Sequence, residues 1–474
     1  MAQPAPTAYQ PPSTNLFLTV LVVAILNAVL TGSMVNVLLS NIRESFDIST
    51  ARVSWTIAAY SLAYAVGIPL YGRISDFLGT RTLFTLGVLG FSLGGLMCAL
   101  APNFPLLIIG RLFQGAGGAA VPALAMVMIS RVLPPHKRGG AMGLVGSAVG
   151  IGQATGPLIG GFIGGSIGWR YLFLLPAATA IVIVIVAQRA LPNTKLTSER
   201  RFDILGGTLL GLTTGLFLFG ITQGQSSGYG SPIVLGSFAG TAVAAALFVW
   251  RINAVPFPFA PPSLFRNSPY TRMLIIGTFN MMSYLSMVIL VPLMLIEHNG
   301  MTPSEAGVAI TPGAIAMAFV SRYAGRVSDR IGGRIPVLTG LTTMLAAGFF
   351  LSTVAAGAGL WIVATGVAIF GIGSAMINAP LNSTVSRLLS AEDTGIGMGM
   401  FSGGTFLGGG MGAAITGAWL NARQDAHTDA INPFYGGDAI PWSDGFLAVI
   451  VMVTIALVIA VTIPFDRPGD DTFS

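Results

Sequence analysis

Fourteen mostly apolar stretches, separated by charged or Pro/Gly/Asn-rich punctuation, limit what this chain can fold into. They fall near residues 16–40, 51–71, 82–101, 104–130, 140–165, 170–188, 204–224, 231–250, 271–295, 305–323, 335–356, 358–386, 395–421 and 444–464. Stretches of about 20 residues can cross ~30 Å of hydrocarbon as helices. Backbone in lipid must satisfy its own hydrogen bonds, which leaves helices or closed barrels. No period-2 alternation supports a barrel. Composition agrees: 53% of residues are hydrophobic and 8% charged, where soluble domains carry roughly 25% charged residues. The sequence predicts an all-α membrane protein with 14 transmembrane helices. The uncharged first fifteen residues lack the basic region of a cleaved leader, so the first run is expected to remain a span. The one cysteine, Cys98, lies in an apolar run and reads as a packing residue.

One decapeptide is written twice, 253 positions apart: Gly72-Arg73-Ile-Ser-Asp76-Phe-Leu-Gly79-Thr-Arg81 and Gly325-Arg326-Val-Ser-Asp329-Arg-Ile-Gly332-Gly-Arg334. Each copy sits between two apolar runs, as a short charged turn joining two helices would. A helix–turn–helix repeated at a large fixed offset implies a duplicated bundle. The offset divides the spans as six, two and six. The expected organisation is a cytoplasmic tail (1–15), a six-helix bundle (16–190), a linker with two extra spans (191–269), a second six-helix bundle (270–464) and a cytoplasmic tail (465–474). Asp76 and Asp329 can cap the following helix and pair with nearby arginines. With the glycines they could form a cytoplasmic latch that closes in one state and opens in another; the blander reading is a charged turn that only fixes topology.

Placing the N-terminus in the cytoplasm puts eighteen Lys and Arg on inner segments and four, Arg43, Arg52, Arg170 and Arg423, on outer ones. That asymmetry is the positive-inside signature. The formal charge of +6 is therefore a topology signal and speaks against a nucleic-acid partner. The long outer loop, about Asn421 to Asp444, reads as a solvated cap.

Two stretches could carry chemistry. Arg111 lies about seven residues into its span, roughly 10 Å deep at 1.5 Å per residue, with Gln114 on the same face. A guanidinium at that depth points to function, or else snorkels to the interface. Gly152, Gly156 and Gly160, with Gly161, make a smooth helix face, and Pro157 should kink that helix. Packing alone or a pivot would use the same physics.

The double decapeptide, the pattern Leu107-x-x-x-Arg111-x-x-Gln114-Gly-x-Gly117 and the run Gly152-x-x-x-Gly156-Pro157-x-x-Gly160-Gly161 together resemble the 14-span drug:proton antiporters of the major facilitator superfamily, and within them the tetracycline-efflux branch. The resemblance covers essentially the whole chain and implies the major facilitator fold: two six-helix bundles plus two linker helices. It also implies efflux of small amphipathic compounds across the plasma membrane, by proton antiport, with no cofactor. The chain departs from the pattern in one respect. Such antiporters carry carboxylates inside the membrane, whereas all seventeen Asp and Glu here fall in loops, tails or span rims. A desolvated carboxylate is the usual proton carrier, and arginine cannot replace it. Glu297 and His298, at the end of their span, are the remaining proton-site candidates, against a plainer reading as a wet pair at a loop start.

Polar residues predicted to line a midplane cavity are Asn27, Asn36, Gln114, Gln153, Asn280, Tyr284, Asn378 and Asn382, with Arg111 the one charge. That lining suits a neutral or anionic cargo. The alternative is a uniporter or exchanger of a neutral or anionic metabolite without proton coupling. An intramembrane enzyme is disfavoured, because His136, His298 and His427 all lie outside the spans. The expected partners are a small-molecule substrate, the lipid bilayer and protons as the candidate coupling ion. No metal site is expected, and the protein is expected to be a monomer.

Overall fold

The computed structural model describes residues 13–37, 39–48, 50–53, 55–193, 203–390, 392–425 and 429–463. Among these, seventeen α-helices and no strands are found: α1 (Thr14–Val37), α2 (Leu39–Phe46), α3 (Thr50–Val53), α4 (Trp55–Leu78), α5 (Thr80–Ala99), α6 (Phe104–Val132), α7 (Pro135–Ser166), α8 (Tyr171–Ala190), α9 (Ile204–Ser227), α10 (Pro232–Ala254), α11 (Pro262–Arg266), α12 (Ser268–Glu297), α13 (Pro303–Ile331), α14 (Arg334–Val354), α15 (Leu360–Leu388), α16 (Thr394–Asp425) and α17 (Ile440–Val461). Each of the fourteen apolar runs corresponds to one long helix. Ten of these are long and apolar enough on their own to cross a membrane. The other four, α4, α7, α13 and α16, carry the glycine-rich and charged motifs, which dilute their hydropathy.

Helix ends follow local chemistry. Asn103 accepts from the Leu106 amide at the start of α6, and Asn267 from the Tyr270 amide at the start of α12. Thr302 and Glu305 form a reciprocal capping box on α13. Asp203 accepts from the Gly206 amide on α9, from the Phe259 amide, and from the Arg251 guanidinium at 3.0 Å, tying the two ends of the α9–α10 hairpin together.

The first six long helices pack on one another: α1 on α7 and α8, α4 on α6, and α5 on α6 and α8. The last six do likewise, with α12 on α16 and α17, α13 on α15, and α14 on α15 and α17. The α9–α10 hairpin lies against α4 and α16. Added side chains at Gly152, Gly156 and Gly160 would run into Val29, Ser33 and Met34 of α1, so this glycine face is a close α1–α7 seam. The side chains of Pro157 and Gly161 lie outside the described set.

Three expectations need correction. The decapeptides are not turns. Gly72 to Phe77 continue α4 and Gly325 to Arg330 continue α13, and the chain reverses only at Gly79 and Gly332, whose φ angles of 84° and 87° favour glycine. Neither Asp76 nor Asp329 caps the helix that follows, because each is still helical and aims sideways. The long loop is also more than a solvated cap. Asn432 is 2% exposed and donates to Ser352 Oγ at 3.0 Å, while Asp444 is fully buried inside α17. Asp444 accepts from Arg423 Nε at 2.6 Å and from the Ile431 amide at 3.0 Å, which explains how its charge is tolerated.

Candidate functional site

Two seams join the first six helices to the last six at the face where α4 and α13 end. In one, α4 meets the start of α16. A methyl group on Gly72 would come within 2.9 Å of Gly399 Cα, and one on Gly395 would strike the Asp76 carboxylate. Asp76 is paired with Arg73 at 3.3 Å and with Arg131 of α6. In the other seam, α13 meets the start of α7. A methyl on Gly325 would lie 2.6 Å from the Gly139 carbonyl carbon. Asp329 accepts from the amides of Gly139 and Gly140 at 2.9 and 2.8 Å. Arg138 of α7 also donates to Ser386 Oγ of α15 at 3.1 Å. Each aspartate thus rests near the start of a helix in the opposite group, where the helix dipole favours an anion.

Of the other latch candidates, Arg81 donates to the Gln188 carbonyl at 3.2 Å. Arg326 and Arg334 are exposed.

Among the described residues, contacts between the two groups extend from that face to mid-depth. Gly143 and Gly146 sit on Ser321, Gly150 on Ala314 and Ala318, Gly403 on Pro69, and Phe406 against Tyr64. The last polar tie is Tyr284 Oη donating to Gln153 Oε1 at 3.1 Å. Beyond it α7 faces α1, and among the described residues α1 makes at most slight contact with α12–α17. The two groups are thus joined at the face where α4 and α13 end, while α1 packs mainly within its own group.

Beside Gln153 and Tyr284, a ladder of amides crosses from α12 to α15. Asn280 Nδ2 donates to Asn378 Oδ1 at 3.2 Å, Ser374 Oγ to Asn280 Oδ1 at 3.4 Å, and Asn382 Nδ2 to the Asn378 carbonyl at 2.8 Å. These five predicted residues are brought together. The others are not. Asn27 donates to the Pro176 carbonyl and accepts from Thr179, so it faces α8 inside the first group. The Asn36 side chain lies outside the described set.

Arg111 is 1% exposed, with Nε 2.8 Å from the Thr56 carbonyl and Nη1 2.6 Å from Gln114 Oε1. Its guanidinium lies 4.4 Å from the Tyr60 ring centroid and 5.7 Å from that of Phe173. A buried cation held by a carbonyl, an amide and two aromatic faces, with no carboxylate among these contacts, fits Arg rather than Lys. Those contacts come from α4, α6 and α8, so Arg111 and Gln114 stand apart from the Gln153–Tyr284 pair.

Among the described residues no Asp or Glu lies in the middle of a long helix. Glu297 and His298 are exposed at the end of α12. Sequence reasoning missed the Asp444–Arg423 pair, although an acid opening an apolar run and an Arg closing the preceding one were its visible signal.

Comparison with known proteins adds an independent line. The family model described as Major Facilitator Superfamily matches residues 21–413 and 272–474. The Multidrug resistance protein Stp of Mycobacterium tuberculosis is 30% identical over 405 residues, covering 84% of this chain and 75% of that protein. The Lincomycin resistance protein LmrB of Listeria monocytogenes is 30% identical over 395 residues, covering 83% and 84%. The crystal structure of the human organic anion transporter MFSD10 (TETRAN) superposes with a TM-score of 0.68 over 94% of this chain and 100% of that one. At 17% identity it supports the fold alone.

Proposed function

The chain belongs to the Major Facilitator Superfamily and is a membrane transporter rather than an enzyme; from that premise we propose that it exports small amphipathic compounds or drugs across the plasma membrane by alternating access. In this reading all fourteen long helices span the bilayer. The first and last six form the rocking bundles, and α9–α10 form the linker. The Lys and Arg bias supports a cytoplasmic position for both termini and both decapeptides. The conformation described here is then closed to the cytoplasm and open outward.

The observation that carries the proposal is the stack of cytoplasmic seams beneath the Gln153–Tyr284 bond. Together they form a floor under a polar, uncharged mid-depth surface, where alternating access places a substrate. Asn280, Asn378 and Asn382 extend that surface. With no carboxylate there, a neutral or anionic cargo fits better than a multiply cationic one. Arg111 and Gln114 position α4 against α6 and α8. The glycine face of α7 lets that helix move close against α1. The protein works as a monomer and needs no cofactor.

Protons remain the proposed counter-ion, given relatives named for drug resistance. The absence of a mid-depth acid among the described residues favours a second reading: an uncoupled uniporter or exchanger of a neutral or anionic metabolite. Everted membrane vesicles separate the two. They would be given external tetracycline, a lipophilic dye or an anionic drug, with and without an imposed pH gradient. Gradient-driven uptake supports antiport and directs attention to Glu297→Gln and His298→Ala. Uptake indifferent to the gradient, or none at all, removes the proton-coupled drug reading.

A further inference from the structure

At the end of α10 marked by Trp250 and Arg251, a groove of about 390 Å³ opens between that helix and the short α11. Its walls are Phe248, Val249, Ile252, Pro262 and Phe265, and Asn253 and Arg266 stand at its rim. The volume falls within the ~300–1,000 Å³ of small-molecule sites. Phe248 and Ile252 are buried below, while Val249 is 56% exposed along the groove. The Asn253 amide is occupied, donating to the Val249 carbonyl at 2.7 Å. Arg266 is exposed, and among the described residues no carboxylate pairs with it.

Three observations fix the occupant. The helix that forms one wall carries a broad lipid-facing apolar surface, with Ile233, Leu235, Val243, Leu247 and Trp250 all exposed. An exposed Trp followed by Arg marks the boundary between hydrocarbon and headgroups. The groove is thus apolar where acyl chains lie and cationic where phosphates lie. We propose that it holds one anionic phospholipid, with an acyl chain along Val249 and Phe265 and its phosphate on Arg266. Such a lipid would clamp α11 to α10. Asn267, the residue after α11, caps α12, the helix that carries Asn280 and Tyr284. The inference does not depend on the transport reading or on sidedness, so either can fail alone.

The test is native mass spectrometry of the full-length, detergent-purified chain, titrated with phosphatidylglycerol or with phosphatidylcholine of the same acyl chains. The wild type should retain one phosphatidylglycerol at least tenfold more tightly than phosphatidylcholine. Arg266→Glu should erase that preference. Val249→Trp, which fills the groove from its exposed side, should weaken both lipids at least tenfold. Water-soluble glycerophosphoglycerol should not compete. Arg266→Gln serves as a second variant if the glutamate disturbs folding, judged by a single monodisperse elution peak. The proposal is overturned if the preference survives loss of Arg266, if Val249→Trp leaves affinity unchanged, or if the chain-free headgroup competes as well as the lipid.

Discussion

Gly325→Ala tests whether the α7–α13 seam holds the closed face. The new methyl would lie 2.6 Å from the Gly139 carbonyl carbon and 3.2 Å from the Gly140 amide nitrogen. Carbon atoms in contact prefer about 3.5–4.0 Å, so the helices must part by roughly 1 Å. Overpacking of this kind costs about 1–3 kcal/mol. The same displacement stretches both amide bonds to Asp329, which act in the same direction. The gain in helix propensity from Gly to Ala, up to about 1 kcal/mol, applies in both conformations and cancels in their difference. A penalty of about 2 kcal/mol shifts the closed-to-open ratio roughly 30-fold. Spin labels at Lys137→Cys and Arg330→Cys, two exposed positions flanking the seam, report the separation by pulsed electron resonance. The background replaces Cys98 with Ser. The expected result is a longer-distance population in Gly325→Ala that is absent in Gly236→Ala, a helical glycine with open space around it. An unchanged distance distribution in Gly325→Ala would refute the reasoning.

Other perturbations separate the remaining parts. Arg423→Ala should lower stability by about 3–5 kcal/mol, because it leaves the buried Asp444 charge uncompensated; Arg423→Met with Asp444→Leu should recover most of it. Thermal unfolding of the purified proteins reads both. Tyr284→Phe removes one hydrogen bond, about 0.5–1.5 kcal/mol, and should raise the KM for transport while lowering the melting temperature by no more than about 4 °C. Equal kinetics would place the substrate elsewhere.

The fourteen long helices were legible because each carries an apolar run between charged or Pro/Gly/Asn punctuation, a signal that needs no knowledge of partners, although among the described residues ten are apolar enough on their own to cross a membrane. The repeated Gly-x-x-x-Asp spacing marked the residues that meet at the closed face. It did not reveal which helix each aspartate would touch, since neither contact is local: Asp329 reaches back to Gly139 and Gly140, almost half the chain away. Asn280 meets Asn378, and Tyr284 meets Gln153, because polar residues in apolar helices must find one another. The same rule misplaced Asn27, which found its partners at Pro176 and Thr179 within its own group. Charge alone did not show that Arg111 would be held by a backbone carbonyl and aromatic rings. The short helices α3 and α11 are too brief for a period to show, whereas α2 carries Leu39, Ile42 and Phe46 at helical spacing, a signal that sequence reasoning passed over.

The two seams do not come apart in the same way. Asp76 is held by arginines of its own group, so separating the groups would carry that cluster away whole and break packing contacts, such as those of Gly395 on Asp76, Gly403 on Pro69 and Phe406 on Tyr64, rather than its ion pairs. Asp329 is held by amides of the other group, so the same motion strips it of both donors and exposes them to water. One side slides free while the other must unhook. In the alternating-access reading, the resistance to opening would thus be concentrated on the α7–α13 side, giving a molecule built from two similar halves a preferred edge from which to open.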